Sequence, residues 1–276
     1  MNQKNRIERA MAHCRKQGQG ALLPYFTAGF PDMATTAALV ARAARSGAAV
    51  IEVGIPYSDS IADGPVIQSS FHTAIEGGFK VEDAFATVAA LRGSVEAGLI
   101  AMISYSIVYR FGVDRFMEAC ARVGFDGVLF PDIPVEEAAP SARAAGDHNL
   151  CYVGLVAPTT QADRQVEIID QSSGFIYQVA VAGTTGERNG LSKTLEHEVS
   201  NLRRITRLPI CVGFGVSSPE HVREVCGFAD GAIVGSAIVR RIREGIDCGR
   251  AGEKIVDEVA GFVDSLVAAC RTDPPN

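Results

Sequence analysis

The chain has no tryptophan, and only five of its 276 residues are lysine. None of those lysines falls in an apolar strand-like run, which removes the usual carrier of Schiff-base chemistry in a barrel enzyme. Its seven cysteines are odd in number and contain no C-x-x-C pair, so neither a disulfide framework nor a zinc site is expected. They read as free thiols in a reducing cytosol. The five histidines are scattered, with no H-x-x-x-H or H-E-x-x-H spacing, so no metal is expected. Positive charge is scarce too. Lysine and arginine total 26 against 32 acids, a net charge of −6, which argues against nucleic acid or an anionic membrane as partner. Long hydrophobic runs are missing. The longest nearly uncharged one, 98–109, is too short to span a bilayer, and residues 1–17 contain no apolar signal-like stretch. Cytoplasmic residence is the expectation.

What is present is a rhythm. The composition, 47% hydrophobic and 21% charged, is that of a globular chain. Short apolar runs alternate with longer amphipathic stretches. Strands are expected at 21–26, 50–53, 99–103, 127–130, 152–156, 175–179, 210–212 and 232–234. Helices are expected at 33–46, 65–76, 81–92, 114–123, 136–145, 162–171, 194–204, 220–226, 237–244 and 253–269. Asp32 reads as an N-cap and Gly47 as a helix stop. Uniformly apolar strands imply burial on both faces of a parallel sheet. Eight β/α units in about 250 residues point to a closed α/β barrel, the (β/α)8 TIM barrel. The pattern adds an extra N-terminal helix and extra short helices after strands 2 and 8. An open dinucleotide-binding sheet would place a G-x-G-x-x-G turn after strand one, where this chain has Thr27-Ala28-Gly29-Phe30-Pro31. No linker divides residues 1–276, and only 271–276 read as a loose tail.

In such barrels the chemistry sits at the C-terminal ends of the strands. Glu52 stands inside the apolar run Val50-Ile51-Glu52-Val53. It either faces outward to an arginine such as Arg42 or Arg45, or faces inward as a carboxyl with a raised pKa, suited to proton transfer. The loop that follows is polar and proline-bounded and carries Asp59 and Asp63. Alone, each aspartate reads as a turn or helix-cap residue. With Glu52 at the same mouth, Asp63 suggests separate acid and base roles. Gly213-Phe214-Gly215 follows strand seven, and Gly235-Ser236 follows strand eight and opens a helix. Those are the recurrent phosphate-binding positions of the fold, where backbone N–H groups hold an anion without lysine. The Gly/Thr-rich stretch 183–190 reads equally as a lid or as an ordinary loop. Pattern alone therefore suggests acid–base cleavage or isomerisation of a phosphorylated metabolite.

These residues also resemble a known family. The stretches Pro24-Tyr25-Phe26-Thr27-Ala28-Gly29-Phe30-Pro31, Ile51-Glu52-Val53-Gly54-Ile55-Pro56-Tyr57-Ser58-Asp59 and Ala62-Asp63-Gly64-Pro65-Val66-Ile67-Gln68 resemble the tryptophan synthase alpha chain family. So do Asp126-Gly127-Val128, Pro131-Asp132-Ile133-Pro134, Gly213-Phe214-Gly215-Val216-Ser217 and Gly235-Ser236-Ala237-Ile238-Val239. The resemblance implies a barrel lyase that cleaves indole-3-glycerol phosphate to indole and glyceraldehyde 3-phosphate, without a metal or organic cofactor. It implies Glu52 as general acid/base and Asp63 as the partner of the indole N–H. It implies Tyr25, Leu129, Phe214 and Ile233 as apolar walls, and Tyr177, Thr185 and Gly186 at the strand-six and lid positions. Gly186, Gly215, Gly235 and Ser236 would hold the phosphate. A tryptophan synthase beta chain is the implied partner. Two departures weaken that contact: Ser60 replaces a proline of the pattern S-D-P-L-A-D-G-P, and Ser106 replaces an asparagine. A stand-alone lyase, a related barrel enzyme on another phosphorylated substrate and a non-catalytic activator of a beta chain remain the alternatives.

Overall fold

The computed structural model describes residues 5–60, 63–180 and 193–271. After α1 (Arg6–Lys16), strands and helices alternate. The first half runs β1 (Ala21–Thr27), α2 (Met33–Ser46), β2 (Val50–Gly54), α3 (Pro65–Glu76), α4 (Val81–Leu91), β3 (Gly98–Met102), α5 (Tyr105–Phe111), α6 (Val113–Val123) and β4 (Gly127–Leu129). Next come α7 (Val135–Asp147), β5 (Cys151–Tyr152), β6 (Gly154–Val156), α8 (Ala162–Gln171) and β7 (Ile176–Val179). The chain continues through α9 (Lys193–Ile205), β8 (Ile210–Gly213), α10 (Pro219–Cys226), β9 (Gly231–Val234), α11 (Ser236–Asp247) and α12 (Gly252–Ala269).

All the strand ladders are parallel, in the order β5-β4-β3-β2-β1-β9-β8-β7-β6. The two ends of that order are consecutive in sequence. β5 pairs with β4, and β6 pairs with β7. Val153 joins them, and its N–H still bonds to Val128 O at 3.0 Å. One stave of the expected eight is therefore bent so that its first half meets one neighbour and its second half the other. The strands are buried because helices cover their outer faces while side chains fill the inside.

Local chemistry sets the element ends as the sequence suggests. Asp32 caps α2, accepting from Thr35 N at 2.7 Å, and Gly47 ends it at φ 100°. Two helices follow β2 and two follow β9. One helix escapes the sequence reading. Ser104 caps α5 by accepting from Ser106 N, and the helix lies in a stretch whose apolar run reads as a continuation of strand three. At the opposite end, α1 closes the barrel. Ile7 is fully buried there, and a Cβ on Gly98 or Gly127 would approach its side chain to 2.7 Å. The cavity described next lies at the other mouth, where the strands end.

Candidate active site

Register brings the functional side chains to one face. Tyr25 pairs with Glu52, Glu52 with Ile100, and Ile100 with Gly127, so all four positions share the inner face of the sheet. Tyr177 on β7 is paired with Leu155 and Cys211. Both tyrosine rings lie over a glycine of the next strand. A methyl group on Gly54 would collide with the Tyr25 phenol, and one on Gly213 with the Tyr177 phenol. Those strand glycines make room for two aromatic walls.

Glu52 is 1% exposed and lines a cavity of about 500 Å³. It faces inward, and neither Arg42 nor Arg45 pairs with it; the outward alternative is overturned. Its Oε1 has no hydrogen-bond partner among the described residues. Burial raises its pKa from 4.5 to about 8, so the carboxyl is protonated at neutral pH. The same cavity is lined by Tyr25, Asp63, Tyr177, Phe214, Gly215, Ile233, Gly235 and Ser236. Tyr25 and Tyr177 are both buried, and burial holds their phenols neutral.

Asp63 does not cap α3. The N-cap is Gly64, with no side-chain cap bond. The aspartate is buried instead at the cavity edge and accepts from the Tyr57 hydroxyl at 3.2 Å. Burial raises its pKa to about 6, the Tyr57 hydrogen bond opposes the rise, and Asp132 adds to it. At neutral pH the cavity thus holds one protonated and one ionised carboxyl.

One end of the cavity is lined by a glycine turn, a helix N-terminus and an arginine. Phe214 and Gly215 both have positive φ, 67° and 81°, in the turn after β8. No side chain caps α11, and Ser236 and Ala237, which carry its first amides, line the cavity with Ser217. Arg240, one turn further along α11, lines it too. Its neighbours are occupied elsewhere: Arg241 stacks on Phe262, and Arg243 on Phe30. The sequence reading missed Arg240. Its signal was the four-residue spacing from Ser236, which places both on one helix face.

The other end is apolar. A second cavity of about 320 Å³ shares Asp63, Met102, Val179 and Phe214 with the first. Phe130, Pro131, Ile133 and Leu155 wall it. Phe214 packs edge-on to Tyr177 at 6.2 Å between centroids. Leu129 shares a face with its register partner Met102 but is fully buried and is not among the lining residues of either cavity. Thr185, Gly186 and the lid stretch 183–190 lie outside the described residues, as do 272–276 of the tail.

A protonated and an ionised carboxyl in a cavity with one end lined by backbone amides and an arginine and the other apolar define the class of a barrel enzyme equipped for acid–base chemistry on an anionic molecule. The comparisons agree with that class. Residues 11–268 match the tryptophan synthase alpha chain family, and the chain belongs to that family. It is 43% identical to the tryptophan synthase alpha chain of Chloroflexus aurantiacus, over 96% of this chain and 98% of that one. It is 40% identical to that of Rhodopirellula baltica, covering 91% and 94%. Among solved structures, tryptophan synthase subunit alpha from Legionella pneumophila superposes with a TM-score of 0.88 at 31% identity, covering 96% and 98%. A chain of Mycobacterium tuberculosis tryptophan synthase gives 0.87 at 31%, covering 98% and 100%.

Proposed function

We propose that this barrel performs the family's alpha reaction, cleaving indole-3-glycerol phosphate to indole and glyceraldehyde 3-phosphate, with Glu52 and Asp63 as its catalytic residues. The observation that carries the assignment is the buried Glu52 carboxyl, its Oε1 without a hydrogen-bond partner among the described residues, in one cavity with an ionised Asp63. The phosphate goes to the end formed by Gly215, Gly235, Ser236 and Arg240, and the indole to the apolar end beside Met102 and Phe214. Asp63, where the two cavities meet, accepts the indole N–H.

The C–C bond cannot break while the indole is aromatic, because the departing electron pair would have no acceptor. Glu52 therefore gives its proton to indole C3, and Asp63 stabilises the positive charge that develops at the ring nitrogen. Glu52, now a carboxylate, takes the proton of the adjacent side-chain hydroxyl. The C–C electrons return to the ring, indole leaves, and a carbonyl forms on the three-carbon phosphate. Glu52 ends protonated, as it began, and the proton count closes.

A beta chain as partner belongs to the same proposal, as does cytoplasmic residence. No helix among the described residues is long and apolar enough to cross a membrane. The two departing serines differ in exposure, Ser106 being exposed. Ser60 is buried, and Ser106 Oγ sits 2.8 Å from Ser104 Oγ, which in turn bonds Asp132. The test is purified barrel plus indole-3-glycerol phosphate, with and without a beta chain. Indole from the barrel alone supports the reading, and a faster rate or co-elution with the beta chain supports the partnership. No indole under either condition would remove the lyase assignment.

A further inference from the structure

Asp63 sits in the loop between β2 and α3, and two side chains of α3 hold that loop down. Gln68 Nε2 donates to Asp63 O at 2.8 Å and to Ser60 O at 3.0 Å. Phe71, 2% exposed, packs its ring 5.3 Å from that of Tyr57. The Tyr57 hydroxyl then reaches Asp63 Oδ2 at 3.2 Å, the one hydrogen bond to that carboxylate among the described residues.

We propose that Tyr57 is a positioning residue for the lyase reaction, its phenol braced on Phe71 so that its hydroxyl holds Asp63 as an oriented carboxylate ready to accept the indole N–H. This rests on the assignment of Asp63 made above. A phenol has a single proton to give, and an ionised carboxylate is the better acceptor for it, so the contact selects the charged form. The other titratable groups around Asp63 work the opposite way or are neutral. Asp132, on the loop after β4, repels its charge; Tyr25 of β1 and Tyr177 of β7 are uncharged phenols that feel it, and Glu52 of β2, in the same cavity, is protonated at neutral pH. Tyr57 is thus the group that opposes burial and Asp132.

Tyr57→Phe removes the hydroxyl and keeps the ring on Phe71. The experiment is kcat/KM for indole release against pH, wild type beside the variant. The wild type should rise through the Asp63 limb near pH 6 and fall through the Glu52 limb near pH 8. The variant's acid limb should move up by about one pH unit while its alkaline limb stays, so activity drops about fivefold at pH 6, approaches a tenfold drop below pH 5, and hardly changes at pH 8. An unmoved acid limb, even with a uniform loss of rate, would overturn the proposal and leave only a structural role for Tyr57. A wild type that releases no indole would instead overturn the lyase reading. Carbon-13 carboxyl NMR, with the Asp63 signal assigned through Asp63→Asn, reads the same midpoint without turnover. It should be higher in Tyr57→Phe, and an equal midpoint contradicts the proposal. If the phenylalanine variant does not fold, 3-fluorotyrosine at position 57, a stronger donor of nearly the same shape, should lower the midpoint. No change there would contradict it as well.

Discussion

Tyr25 and Glu52 are register partners across β1 and β2, side by side on the inner face of the barrel. Both are buried there, the Glu52 Oε1 has no hydrogen-bond partner among the described residues, and burial raises the carboxyl's pKa.

The first prediction follows from that burial. The pKa of Glu52 is about 8 in the folded chain and 4.5 when exposed. Between those values the folded state keeps a proton that the unfolded state has lost. The associated stability is therefore complete below pH 4.5 and is lost as pH rises through 8, roughly 4–5 kcal/mol in all. Glu52→Gln has no such proton to lose. Thermal melts should show the variant gaining several degrees on the wild type between pH 5 and pH 9. Parallel curves would mean that the carboxyl is solvated.

The second concerns Gly54. Its missing side chain is what leaves room for the Tyr25 phenol over β2. Gly54→Ala should push the phenol into the cavity, cost about 1–3 kcal/mol of stability and lower kcat/KM. Tyr25→Phe in the alanine background removes the colliding oxygen and should recover part of both losses. Chemical denaturation and indole release check the two effects separately.

Arg240 yields the third. Arg240 lines the cavity, and in the proposed phosphate site its guanidinium would meet the substrate equally in the ground and transition states, because the phosphate does not react. Arg240→Ala should raise KM about tenfold at low salt and change kcat less than twofold, with the difference shrinking as ionic strength rises. A KM independent of both substitution and salt would place the anion elsewhere.

The barrel was readable because its signal is repeated: each apolar run and each helix cap, such as Asp32, supports the others. Glu52 was readable as a contradiction, a charge inside a strand. The break at Val153 was not, since one residue leaving the ladder changes no apolar pattern. α5 was hidden because its apolar run continues that of β3, and only the Ser104 cap separates them. Asp63 alone looked like a helix cap; its place at the same mouth as Glu52 suggested an acid–base role, and only the resemblance made it the partner of the indole N–H. Tyr57 and Arg240 were illegible for a different reason. The contact of Tyr57 depends on where a loop comes to rest, which leaves no local sequence mark, and the four-residue spacing of Ser236 and Arg240 says that they share a helix face but not that the helix is rotated to turn that face into the cavity. Leu129 shows the converse. The resemblance names it as a wall, whereas here its register partner Met102 lines both cavities and Leu129 lines neither.

The most direct measurement is the rate of indole formation from indole-3-glycerol phosphate by wild type and Glu52→Gln between pH 5 and pH 9. The wild-type rate should be bell-shaped, with limbs near 6 and 8, and the variant should be slower by a factor on the order of 10²–10⁴ at every pH. A variant that releases indole at the wild-type rate would contradict proton transfer by Glu52 and with it the central claim.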